Sequence, residues 1–204
     1  MTGPPWDQRL ARWLVRPLAR TPIHPNHLTW ASLAVGLAAA ALFAQGDALY
    51  ANWGAVAFMT AAFMDHTDGE LARMTGKTSR FGHYLDLVCA AITYTALFAG
   101  IGLGLAQGAM GREAAVLGVV AGVSVAAIFT ARLYIEERFG GDTAHQPNFA
   151  GFEPEDVLYL IGPITWFGGL EPFLIAAAIG APAFLLVVFW QIGRFILRQG
   201  GERP

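Results

Sequence analysis

Apolar residues in this chain arrive in long blocks rather than in short alternating runs. From His27 to Ala44 the sequence passes eighteen residues without an acidic, lysine or arginine side chain, which as a helix is about the length that crosses a hydrocarbon core of roughly 30 Å. Five further blocks follow, and the spans are expected at about 27–44, 53–75, 79–105, 113–138, 155–167 and 171–197. The fold class is therefore all-α, an integral membrane bundle of six transmembrane helices forming a single membrane domain over 1–204. A soluble helical bundle is the lesser alternative. Composition agrees, with 55% hydrophobic and 14% charged residues, where a soluble domain carries about a quarter charged.

Ahead of the first span, residues 6–18 (WDQRLARWLVRPL) place Trp6, Leu10, Trp13, Leu14 and Leu18 on one side and Asp7, Arg9, Arg12 and Arg16 on the other. A helix with tryptophans on one face and arginines on the opposite one lies in the membrane interface. Pro22 and Pro25 break it, and Asn26 is expected to cap the first span. No short charged region followed by a cleavable apolar core opens the sequence, so no secretory signal is expected. Cys89 is the single cysteine, which excludes an internal disulfide and a cysteine metal cluster.

An even number of spans puts both termini on one side. With that side assigned to the cytoplasm, twelve of the thirteen Lys and Arg residues fall inside and only Arg112 falls outside. This is the bias the positive-inside rule describes, and it checks the span count independently. The expected location is a bacterial-type cytoplasmic membrane, with no nucleic-acid partner. Gly100, Gly104 and Gly108 recur every four residues, as do Gly118 and Gly122. Such spacing permits close helix approach, either within the bundle or across a homodimer interface.

The stretch from Met64 to Ala90 carries the chemistry. A carboxylate at membrane depth costs several kcal/mol unless paired, hydrated or metal-bound, so it reads as functional. Asp65 and Asp68 share one helix face. Asp86 arrives eighteen residues after Asp68, beyond a Gly76-Lys77-Thr78-Ser79 break that lets the next helix bring it alongside. Three carboxylates converging from two helices form a hard-oxygen site suited to Mg²⁺ or Mn²⁺. Gly69 and Ala72 are small enough for a ligand or helix to approach the backbone, and the planar fork of Arg73 suits phosphate oxygens. A metal and an arginine together can clamp a diphosphate. The structural alternative is that the carboxylates pair with Arg73 and Arg80.

Written as spacing, these residues read D-x-x-D-G-x-x-A-R, eight residues, then G-x-x-x-D-x-x-x-A. The pattern resembles the signature of the CDP-alcohol phosphotransferases, integral membrane enzymes of phospholipid synthesis, and matches seven of its eight fixed positions. The Pro25-Asn26-His27-Leu28-Thr29 lead into the first span, the interfacial helix and the six-span plan resemble that family too. The resemblance implies a metal-dependent transferase that moves a phosphatidyl or phosphoalcohol group from a CDP-linked donor, CDP-diacylglycerol or a CDP-alcohol, to an alcohol acceptor and releases CMP. It implies metal ligation by Asp65, Asp68 and Asp86. It also implies a nucleotide and diphosphate site formed by Asp65, Asp68, Gly69, Ala72, Arg73 and Gly82.

The departure is Ala90, which stands where the family has a fourth aspartate, its general base. His83 lies three residues before Asp86 and seven before Ala90, on the same helix face, and is the candidate substitute base. His66, Glu155 and Asp156 are weaker candidates. An already anionic acceptor would need no base. A family member that binds CDP-lipid and metal without turnover is the second reading, and a divalent-cation transporter the third. Arg132, Glu155 and Asp156 are candidate acceptor-site residues. The acidic cluster Glu153, Glu155 and Asp156 favours a cationic or polyhydroxylic acceptor, although helix-cap carboxylates explain it equally.

Overall fold

The computed structural model describes residues 12, 13, 15–139 and 159–200, and every described element is helical. A 3₁₀ turn at Leu18–Arg20 precedes six α-helices: α1 Pro25–Phe43, α2 Ala48–Thr75, α3 Arg80–Leu105, α4 Arg112–Phe139, α5 Ile161–Trp166 and α6 Leu170–Gly200. Most of the expected interfacial helix and the start of the fifth span, including Glu153, Glu155 and Asp156, lie outside the described residues.

Helix α1 starts earlier than expected, and its cap is His24 rather than Asn26. The Nδ1 of His24 accepts the Asn26 amide at 3.3 Å, while the Nδ1 of His27 accepts the His24 amide at 3.3 Å. Pro25 explains the shift: its fixed φ is preset for the first helical position, where a missing N–H costs nothing. The cap therefore moves to the residue before it, and Asn26 is released to face the neighbouring helices.

Asp47 starts α2 by accepting the amides of Leu49 at 2.8 Å and Tyr50 at 3.4 Å. The helix then runs unbroken for 28 residues until Gly76, whose φ of 66° is the left-handed stop. At 1.5 Å per residue it is about 42 Å long, more than the hydrocarbon core is thick. Its last three turns, which hold the acidic motif, thus extend past the apolar part. Helix α3 follows after Ser79, whose Oγ accepts the Gly82 amide at 3.0 Å.

Helices α1, α3, α4 and α6 are long and apolar enough to cross a membrane. Helix α2 reaches that length but carries the charged motif, and the described part of α5 has six residues. The assigned helix of α6 continues through Pro182. Gly168, at φ 72°, turns the chain between α5 and α6.

Helix α1 packs against both α2 and α3, which touch each other only sparingly. It is the wedge that sets their separation. Glycines make this approach close: a Cβ at Gly100 would strike the Ala40 carbonyl, and one at Gly104 the Phe43 carbonyl. On the other side of α3, its Gly102 packs backbone to backbone with Gly118 of α4. The four-residue glycine spacing is thus used inside the bundle. The principal apolar core includes Phe58, Leu97, Ile101 and Leu174, with the rings of Phe98 and Phe173 stacked at 5.9 Å. The exterior stays apolar, with Val116, Val123, Ile179, Leu186 and Trp190 exposed. A lipid-facing surface has that composition, and a large exposed apolar face in water is rare.

Candidate metal and diphosphate site

Asp65 and Asp68 project from the motif end of α2, and Asp86 from the second turn of α3. One carboxylate oxygen from each lies within 4.8 Å of the others. Metal–oxygen bonds near 2.1 Å place opposite ligands of one octahedral ion about 4.2 Å apart and adjacent ones about 3.0 Å apart, so the three carboxylates draw in by side-chain rotation to close on a single Mg²⁺ or Mn²⁺. A set of carboxylates alone is the donor chemistry those ions favour. The residues fit a divalent cation.

Helix α1 supplies support to the cluster. Asp68 is only 5% exposed, and its Oδ2 accepts a hydrogen bond from the Thr29 hydroxyl. That bond fixes the carboxylate from behind, as outer-shell partners of metal ligands do. Thr29 belongs to the Pro25–Thr29 stretch that resembled the family, and its contact supplies a reason for the residue type there.

A cavity of about 280 Å³ opens beside the cluster. Asn26 and Thr29 come to it from α1, Asp68, Gly69, Ala72 and Arg73 from α2, Lys77, Thr78 and Ser79 from the connection, and Gly82, His83 and Asp86 from α3. The expected diphosphate residues Gly69, Ala72, Arg73 and Gly82 are therefore brought together around one space. The Arg73 guanidinium lies over Gly69, 3.5 Å from where a Cβ would stand. Lys77 adds a second cation that sequence reasoning did not single out.

His83 lines this cavity and a second one of about 460 Å³, which Arg80, Tyr84, Glu136 and Glu137 also line. Its Nε2 lies 3.0 Å from Glu136 Oε2, and Tyr84 donates to Glu137 Oε1 at 2.6 Å. The carboxylates come from α4, more than fifty residues along the chain, and no sequence signal marked them.

Ala90 does not line either of these cavities but lies on the Asp65 side of the cluster. It faces a void of about 10 Å³ together with Asp65, Ser32, Phe58, Thr93 and Tyr94, and it packs against the main apolar core. His66 meets the Tyr159 hydroxyl at 3.4 Å. Arg132 lies on α4 but is not among the residues lining either cavity near His83.

The sequence profile of the CDP-alcohol phosphatidyltransferases matches residues 22–197. This chain belongs to the CDP-alcohol phosphatidyltransferase family. Among its relatives, the archaetidylinositol phosphate synthase of Pyrococcus horikoshii is 36% identical over 87 residues, 43% of this chain and 45% of that protein. The phosphatidylinositol phosphate synthase of Streptomyces avermitilis is 32% identical over 91 residues, 45% of this chain and 36% of that protein. These alignments span less than half of each relative. The fold extends further: the crystal structure of Mycobacterium tuberculosis phosphatidylinositol phosphate synthase with CDP-DAG bound matches with a TM-score of 0.63 at 22% identity, over 89% of this chain and 94% of that one. The form in complex with manganese and citrate matches with a TM-score of 0.58 at 23% identity, over 90% of this chain and 88% of that one. Membership and the apolar helices make this CDP-alcohol phosphatidyltransferase family member an integral membrane protein.

Proposed function

We propose that the chain is a membrane transferase that moves a phosphatidyl or phosphoalcohol group from a CDP-linked donor to an alcohol acceptor, with release of CMP. The observation that carries this reading is the convergence of Asp65, Asp68 and Asp86 beside a cavity that also holds Arg73 and Lys77. Carboxylates without cations would repel a diphosphate, and cations without a metal site would leave the acids unexplained. Together they suit a metal–diphosphate complex. CDP-diacylglycerol is the preferred donor, since a family neighbour was crystallised with CDP-DAG bound.

Asp65, Asp68 and Asp86 would hold Mg²⁺ or Mn²⁺, which when bound neutralises the diphosphate and the charge of the departing phosphate. Arg73 and Lys77, which line the same cavity, hold the phosphate oxygens. The acceptor hydroxyl attacks the donor phosphorus remote from the cytidine, and the P–O bond to the CMP phosphate breaks. His83 takes the hydroxyl proton. Its position between the two cavities and its contact with Glu136 support that role, because the carboxylate steadies the imidazolium that forms. The larger cavity then receives the acceptor. We infer a single membrane domain of six spans, with both termini and the site on the cytoplasmic side.

The test is CMP release from CDP-diacylglycerol by purified protein with Mn²⁺ and a panel of alcohols. Release that needs an acceptor and stops with chelator is the expected result. No release with any acceptor, alongside retained CDP-lipid binding, would favour the non-catalytic reading that Ala90 suggests. Divalent flux into proteoliposomes without nucleotide would favour a transporter.

A further inference from the structure

Glu70 lies inside the motif at a position the family pattern leaves open, yet it is only 1% exposed. Both of its carboxylate oxygens are used. Oε1 accepts from Arg73 Nη2 at 2.9 Å and Nε at 3.2 Å, and Oε2 accepts from Arg12 Nε at 3.1 Å. The two arginine side chains are half-exposed, at 56% and 49%. The buried carboxylate is therefore the fixed partner, and the arginines are the ones held.

Arg73 lines the diphosphate cavity, and with Nε and one Nη2 proton committed to Glu70 its remaining donors on Nη1 and Nη2 stay available to phosphate oxygens. A long side chain otherwise loses rotamer freedom when it binds, and a fork held beforehand avoids that loss. Arg12 comes from the segment ahead of α1, which sequence pattern assigns to the membrane interface. The neighbouring turn at Leu18–Arg20 also contacts α2. Glu70 thus joins that segment to the arginine of the donor site.

We propose that Glu70 is the positioning residue for Arg73, and that Arg12, by holding the other carboxylate oxygen, makes donor affinity depend on docking of the N-terminal segment. The ligand class is a nucleoside diphosphate or its lipid ester. This inference rests on the functional reading above, and the probe is CDP with Mn²⁺, read as a dissociation constant rather than as turnover.

Glu70→Gln keeps the shape but leaves one acceptor oxygen for two guanidinium groups and turns an N–H donor toward one of them. CDP binding should weaken about tenfold or more. Arg12→Gln, at a half-exposed side chain, should weaken it severalfold. In an Arg73→Ala background neither change should weaken binding further. Unchanged CDP affinity in both variants, with only the melting temperature lowered, would make the cluster a structural ion pair and overturn the proposal. Equal losses with and without Arg73 would overturn it too. Should the unaltered protein bind no CDP with Mn²⁺, the functional reading falls and the proposal falls with it. Native binding with indifferent variants sinks the proposal alone.

Discussion

Thr29 and His83 show how much one side chain at this site depends on a partner from another helix. Thr29 holds Asp68 from α1, so Thr29→Val should lower Mn²⁺ affinity by about 10- to 100-fold, the usual cost of losing an outer-shell partner. Titration of Mn²⁺ into the purified variant checks this. His83→Ala should reduce the transfer rate by about 10²- to 10⁴-fold if it takes the acceptor proton, and full activity would end that assignment. Ala90→Asp tests the same point from the other side. Ala90 packs against core residues with a void of only about 10 Å³ beside it, so a carboxylate there should destabilise by about 1–3 kcal/mol. A large gain in turnover from that variant would mean that the alanine, not His83, decides the base.

The aspartates were legible because charged side chains in an apolar block stand out and their spacing sets a helix face. Glu70 was visible but unread: three residues before Arg73 it is in ion-pair register, and only burial shows that it is more than a solvated face. Glu136 was not legible, since nothing local in α4 says which residue of α3 it will meet.

At the scale of elements, α1 is the piece that assembles the site. The motif occupies α2 and α3, but those helices hardly touch, and α1 fills the gap with Thr29 above and a glycine-lined contact below. Gly100→Val would push the Ala40 backbone away. We expect a loss of about 1–3 kcal/mol from overpacking, with weaker Mn²⁺ binding in the folded fraction, measured by thermal unfolding in detergent and by Mn²⁺ titration on the same samples. A stability loss with unaltered Mn²⁺ affinity would show that α1 does not set the carboxylate spacing.

The bounds of α1, α3 and α4 lie within two residues of the expected blocks, while α2 begins at Ala48 rather than near Trp53 because Asp47 caps it, and its uninterrupted run to Gly76 followed from the absence of a breaker. The cap at His24 was missed because asparagine is a preferred cap type and histidine is not, whereas Pro25 took the first helical position and so set the cap one residue before it. The glycine spacing announced close approach without naming the partner helix, which only packing decides.

Over the whole molecule, charge asymmetry and helix count make one statement about the membrane. The turn holding Thr78 should face the cytoplasm and the turn holding Gly108 the opposite side. Cys89 is buried and is the only cysteine, so single cysteines placed by Thr78→Cys and Gly108→Cys in a Cys89→Ser background report sidedness cleanly. An impermeant maleimide added to intact cells should label position 108 and spare position 78. The reverse pattern would invert the topology and remove the site from cytoplasmic nucleotide.

The account centres on a divalent ion that three carboxylates from two helices hold and that recruits the donor diphosphate. Electron paramagnetic resonance of Mn²⁺ bound to the purified protein, with and without CDP, tests it most directly. The expected result is a bound-Mn²⁺ signal that changes when CDP is added and disappears in Asp86→Asn. Equal Mn²⁺ binding by Asp86→Asn, or a bound signal indifferent to CDP, would contradict the account.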